Sequence, residues 1–211
     1  MPVRKVPGVG KKSGEELRKL GIVFASDILK FPAQLWENKF GKWGAALYAK
    51  AQGIDNSAVE PYSDPKSISA EETFPEDTDN IAGLEKMLLS QAEEVGREIR
   101  KLGFKARTVI LKIKLSDFKI ITRSRTLPEP FDTTDVLFNA GHKLLVDLKL
   151  TRKVRLIGIG VSNLSSGPCQ MTIGSSGEET GRQGRLDRAL DKIHSRFRGN
   201  MVLRGRMMDE V

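Results

Sequence analysis

Between residues 66 and 164 the hydrophobic period switches back and forth between two and about 3.6, and the order of those switches constrains the fold more than any other feature of the chain. "KSISAEETF" alternates as a strand does. Residues 79–103 place Ile81, Leu84, Leu88, Val95, Ile99 and Leu102 at spacings of three, four and seven, which is one face of a long helix. "ARTVILKIKLSDFKIITRSRTL" reads as two alternating strands joined tightly at Ser116-Asp117. Residues 133–149 turn Leu137, Ala140, Leu144 and Leu148 to one side of a second helix, and "KVRLIGIGVSNL" closes as a strand. Strand, helix, strand, strand, helix, strand predicts a four-stranded sheet with both helices on one face. The other face is left to water or to a partner.

Strand alternation says what that open face carries. Val109, Leu111, Ile113 and Leu115 fall on one side, and Lys112 and Lys114 on the other. Across a tight turn, Arg123 and Arg125 form a second basic row, expected to lie opposite the apolar rows and beside the lysines. Like charges in neighbouring rows repel unless a polyanion lies across them. Arginine suits phosphate, although a solvated face of an antiparallel sheet looks similar.

Residues 1–53 have a different character, with short helical stretches punctuated by glycine, and 54–66, "IDNSAVEPYSDPK", read as a linker. At the start stands "VPGVGKK". Hydrophobic-Pro-Gly-hydrophobic-Gly before a helix is a helix-hairpin-helix signature. Gly8 and Gly10 permit the turn, backbone amides then face outward at a helix start, and Lys11 and Lys12 add charge. Such a grip reads phosphate and is blind to sequence. "KFGKWG" at 39–44 repeats the theme of a glycine turn beside lysines. The fold class is therefore α+β, a small helical helix-hairpin-helix domain followed by a βαββαβ sheet domain over 67–165. Residues 166–211 are expected to form a flexible tail with a short basic helix.

Net charge supports a polyanionic partner: 35 Lys and Arg against 27 Asp and Glu give +8. The one cysteine, Cys169, excludes an intramolecular disulfide and fits a reducing compartment. No apolar run reaches the roughly 18 residues of a membrane span, and "MPVRKVPG" has no secretory h-region. A cytoplasmic protein without membrane contact is expected.

Residues 2–55, "SISAEETF", "VRLIGIGVSNL" and the terminal "RLDRALDKIHSRFRGNMVLRGRMM" together resemble the thumb, little finger and tail of Y-family translesion DNA polymerases of the DNA polymerase IV type. The resemblance implies that the thumb hairpin holds the minor-groove side of a primer-template, through Val6, Gly8, Gly10, Lys11 and Lys12. It implies that the little-finger sheet lies in the major groove and touches mostly backbone, through Ser67, Ser69, Lys112, Lys114, Arg123 and Arg125. Family members carry a palm and fingers before the thumb, whose carboxylates hold two Mg²⁺ ions. Only six residues precede Pro7 here, so no catalytic residue and no cofactor are expected in this chain. "QMTIG" at 170–174 partly matches the family's clamp-binding peptide through Gln170, Met171 and Ile173. Gly174 stands where an aromatic anchor belongs, so clamp binding would be weak, and plain linker is the other reading. Three functions stay open at this point: a DNA-holding module of a lesion-bypass polymerase, an active polymerase once a separate palm-fingers chain joins, and a stand-alone DNA- or sliding-clamp-binding protein.

Overall fold

The structure is a computed structural model that describes residues 1–61, 63–166, 177–197, 202 and 205. The chain divides into two compact units, Met1–Ser63 and Asp64–Val211.

In the first unit a 3-10 turn, Val3–Lys5, leads into α1 (Lys11–Lys19), α2 (Ala25–Ile28), α3 (Ala33–Phe40) and α4 (Lys42–Ala51). Apolar side chains from each element meet in one small core around Val3, Val6, Leu17, Ile28, Trp36 and Leu47. Trp36 is 1% exposed, and its indole N–H donates to the Ile28 carbonyl at 3.0 Å, so the ring is buried without an unpaired donor. Trp36, Phe40 and Trp43 form an aromatic column with centroid separations of 6.1 and 5.3 Å. These rings are core, as their helical spacing suggests.

α3 and α4 cross closely because residue 44 is glycine. A Cβ there would stand 1.9 Å from the Trp36 carbonyl oxygen, which is backbone and cannot swing aside. Gly44→Ala is therefore expected to destabilise this unit by roughly 1–3 kcal/mol or more, the usual range for overpacking. Both tryptophans of the chain lie here. Urea unfolding followed by tryptophan fluorescence thus reads this unit alone, and an unchanged midpoint would refute the close crossing.

Asp27 closes the start of α2. Its carboxylate accepts from Lys30 Nζ at 2.7 Å and from the backbone N–H groups of Phe24 and Val23 at 2.8 and 3.1 Å. These bonds, the Lys30 one foremost, hold its pKa at about 2, below the ordinary 3.8. A carboxylate held so firmly ionised is a cap and a poor proton acceptor. Because the folded value is the lower one, its contribution is full above pH 3.8 and is lost as pH falls toward 2. The fluorescence midpoint of the first unit should drop over that window, and less so in Asp27→Asn.

The second unit contains β1 (Ser67–Thr78), α5 (Ile81–Lys101), β2 (Phe104–Leu115), β3 (Ile120–Phe131), α6 (Thr134–Asp147), β4 (Val154–Ser162), a two-residue β5 (Ser165–Ser166) and α7 (Gly177–Arg196). The sheet runs β1-β4-β2-β3, every pair antiparallel, with β5 beside the start of β2. This is the α+β arrangement expected, an N-terminal helical region followed by a four-stranded sheet with helices. Leu84, Leu88, Val95 and Ile99 of α5 and Leu137 and Leu145 of α6 bury against Val109, Leu111, Ile113, Ile157, Ile159 and Val161. Buried Gln91 donates to the Ile157 carbonyl at 3.0 Å. Ile81 and Leu102, expected on the inward face of the helix, are instead exposed, Ile81 at the first residue of α5 and Leu102 at its C-cap.

Both outer strands depart from regular pairing. β1 loses register with β4 between Thr73 and Thr78, around Pro75. β3 loses register with β2 between Thr126 and Phe131, a stretch that holds Pro128 and Pro130. The Pro128 carbonyl there accepts from Arg107.

The C-terminal helix differs from a short helix in a flexible tail: α7 runs 20 residues and is docked. Arg100, in the last turn of α5, is 8% exposed at its side chain. It grips Asp191 through Nε and Nη2 at 2.6 and 3.0 Å, and its Nη1 reaches the Asp132 carbonyl at 2.8 Å and Asp187 at 3.4 Å. Asp187, 2% exposed, also accepts from the Thr134 N–H at 2.8 Å, at the start of α6. Burial by itself would lower the Arg100 pKa. The Asp191 hydrogen bond and the Asp187 and Asp191 charges outweigh it and leave it raised.

Candidate nucleic-acid interface

In the first unit, Gly8 sits at φ +91°, a left-handed value that favours glycine, and its carbonyl accepts from the Trp43 indole at 3.2 Å. The hairpin is thus pinned to the aromatic column. Gly10 is different. It is the N-cap of α1 at φ −81°, ψ −170°, and a Cβ there would meet nothing within 4 Å. The turn does not require glycine at residue 10. What glycine does there is leave the helix start open, with no capping side chain and no acidic residue in the first turn. Lys11 and Lys12 are exposed beside it. Val6 is 2% exposed, so only its backbone is available to a ligand. The hairpin offers unpaired helix-start amides, a positive dipole end and two cations, a set suited to a phosphate oxygen.

In the second unit the helices cover one face of the sheet, and directly paired residues define what faces the other way. Ser69 of β1, Gly160 of β4, Ile110 of β2 and Ser124 of β3 form one rung, and Glu71, Gly158, Lys112 and Thr122 form the next. Gly158 and Gly160 lie in a central strand, which is otherwise a poor place for glycine. Cβ atoms there would stand 2.6 Å from Glu71 Cβ and 2.7 Å from Ser69 Cβ. The result is a shallow furrow of about 210 Å³, lined by Ser67, Ser69, Lys112 and Thr122 among others. Lys112 Nζ reaches across Gly158 to Glu71 at 2.6 Å. Lys114 lies over the exposed ring of Phe118 at 4.7 Å, and the Arg155 guanidinium lies 4.8 Å from the same ring.

Arg123 and Arg125 do not share this face. Arg123 pairs with Leu111 and Arg125 with Val109, and directly opposed residues point the same way, toward the helix side. Both remain exposed because β3 is the outer strand and the helices do not cover it there. The cause is the turn. A two-residue turn at Ser116-Asp117 would pair Lys112 with Ile121. The observed turn is one residue longer: Phe118 takes φ +64°, Phe118 N–H donates to the Leu115 carbonyl, and Leu115 N–H to the Lys119 carbonyl. One residue of slip exchanges the faces of a whole strand.

Thr122, Ser124, Gly158 and Gly160 were not singled out from the sequence. The "GIG" interruption of an apolar strand was the available signal. Gln170, Met171 and Ile173 lie outside the described residues. Among the described residues no group of three or more His, Cys, Asp or Glu side chains converges, so none of them fits the Mg²⁺ pair that the family places in a palm. Nor is any described helix long and apolar enough to cross a membrane.

Comparison with known proteins follows the same division. Residues 65–173 match the impB/mucB/samB family C-terminal domain, and residues 1–22 match the IMS family HHH motif. The chain is 33% identical to DNA polymerase IV of Dehalococcoides mccartyi strain CBDB1 over 208 residues, 98% of this chain and 53% of that protein. It is 35% identical to DNA polymerase IV of Moorella thermoacetica over 207 residues, 97% of this chain and 51% of that one. Against DNA polymerase IV of Xanthomonas oryzae it is 37% identical over 168 residues, 79% of this chain and 46% of that one. The chain spans about half the length of these curated relatives. Two units that match the family's two motifs in order, with one alignment running through both, place the chain in the DNA polymerase IV group of the Y-family, of which it comprises the helix-hairpin-helix thumb and the little-finger domain.

Proposed function

We propose that the chain holds duplex DNA without reading its sequence, as the DNA-gripping part of a lesion-bypass polymerase working on a primer-template. The observation that carries this reading is the glycine furrow. Two glycines in a central strand, flanked by serine and threonine hydroxyls and by Lys112, let a phosphate-sugar backbone approach the sheet closely. Such groups contact backbone oxygens and distinguish no base. The open start of α1, with Lys11 and Lys12, supplies a second backbone grip of the same kind. In this reading nucleotidyl transfer belongs to a palm and fingers, and a sliding clamp is a weak further partner.

Fluorescence anisotropy with labelled duplexes of unrelated sequence tests the proposal. Neutralising roughly four to eight phosphates gives a slope of log affinity against log salt on the order of −4 to −7. Affinities should agree among sequences within a few-fold. A flat salt response, or strong preference for one duplex, would sink it.

A further inference from the structure

On the helix side of the second unit lies a cavity of about 550 Å³ between the end of α5, the start of β2 and α7. Its size is that of a small-molecule site. Six of its lining residues are Lys or Arg and two are Asp, so the lining is strongly positive. Asp191 is already taken by Arg100. The cations come from both walls: Arg97 and Lys101 from α5, Lys105 from β2, and Arg188 and Lys192, one turn apart, from α7.

Like charges facing one another across a concavity repel, and a multivalent anion removes that repulsion. Arginine and lysine together match phosphate oxygens. A duplex is convex and too wide to enter a cavity of this volume, whereas a short phosphate chain fits.

From the cavity's charge and its size, we infer that the α5–α7 cavity is a binding site for a compact polyphosphate, free or carried by a nucleotide. It is separate from the furrow, which lies on the opposite face of the sheet.

Isothermal titration of the full chain with inorganic tripolyphosphate, adenosine triphosphate and adenosine tests this. Tripolyphosphate should bind one site per chain, at least tenfold more tightly than sulfate at equal ionic strength, and adenosine should not bind. Adenosine triphosphate binding as tightly as tripolyphosphate, or more so, assigns the site to nucleotides. Binding tenfold weaker assigns it to free polyphosphate. Arg188→Gln/Lys192→Gln changes two exposed residues of α7 and should weaken tripolyphosphate at least tenfold while duplex affinity stays within twofold. Lys105→Gln tests the opposite wall should α7 loosen, with circular dichroism as the check on folding. Lys112→Gln/Lys114→Gln should do the reverse, sparing tripolyphosphate. The inference fails if tripolyphosphate binds no better than sulfate, if neither wall's variant weakens it, or if the α7 variant loses duplex binding as well.

Discussion

Replacing Arg100 with alanine is expected to destabilise the sheet domain by about 3–5 kcal/mol, the cost of breaking a buried ion pair from one side. The guanidinium is 8% exposed, so solvent screens it little. Its loss takes the Arg100 charge away from the Asp187 carboxylate, which is 2% exposed. It also removes the bidentate hold on Asp191 and the bond to the Asp132 carbonyl. Far-UV circular dichroism in urea should show the sheet domain's transition moving to lower denaturant, while tryptophan fluorescence, confined to the first unit, stays put. Amide exchange should rise throughout α7. Removing the acids as well, in Arg100→Ala/Asp187→Ala/Asp191→Ala, should recover part of the loss, since the carboxylates that Arg100 faced are then gone too. A single variant losing less than about 1 kcal/mol would put the pair in the class of weak surface bridges, and α7 would not be anchored as described.

Lys112→Gln/Lys114→Gln should lower the magnitude of the DNA salt slope by about 2 and reduce affinity on the order of a hundredfold at 0.1 M salt. Both side chains project from the open face, so the fold should be unaffected. The ion pair with Glu71 adds a prediction of opposite sign. Glu71 competes with phosphate for Lys112, so Glu71→Gln should tighten duplex binding several-fold. A parental slope in the lysine variant, with native circular dichroism, would mean that the open face meets only solvent. Arg123→Gln/Arg125→Gln is a separate experiment, because these side chains leave β3 on the other side. A slope reduced there as well would show a duplex that reaches past the edge of the sheet.

The order of elements was legible because hydrophobic period is a local property, read within a few residues of each position. The helix-sheet core followed from it: Leu84, Leu88, Val95 and Ile99 face Val109, Leu111 and Ile113 as their spacing implies. The facing of β3 was not legible, since it depends on the length of one turn. A left-handed residue in a hairpin is usually announced by glycine or asparagine, and here it is Phe118. The lysine row could be placed within β2 alone, but the arginine row could not be placed beside it without the register. The docking of α7 was hidden for a different reason. Asp187 and Asp191 look like ordinary charges of a polar helix until Arg100, 87 and 91 residues earlier, is brought against them. Long-range ion pairs leave no periodic trace.

The register breaks in β1 and β3 bear on how the molecule behaves in a crowd. An outer strand is a template on which another chain can add a strand, and a regular one invites stacking into aggregates. Here both outer strands are interrupted, β1 around Pro75 and β3 around Pro128 and Pro130, and proline supplies no N–H for a neighbour to use. Neither border of the sheet therefore presents an unbroken row of donors and acceptors. The sheet can keep one face bare for a ligand without its borders recruiting copies of itself.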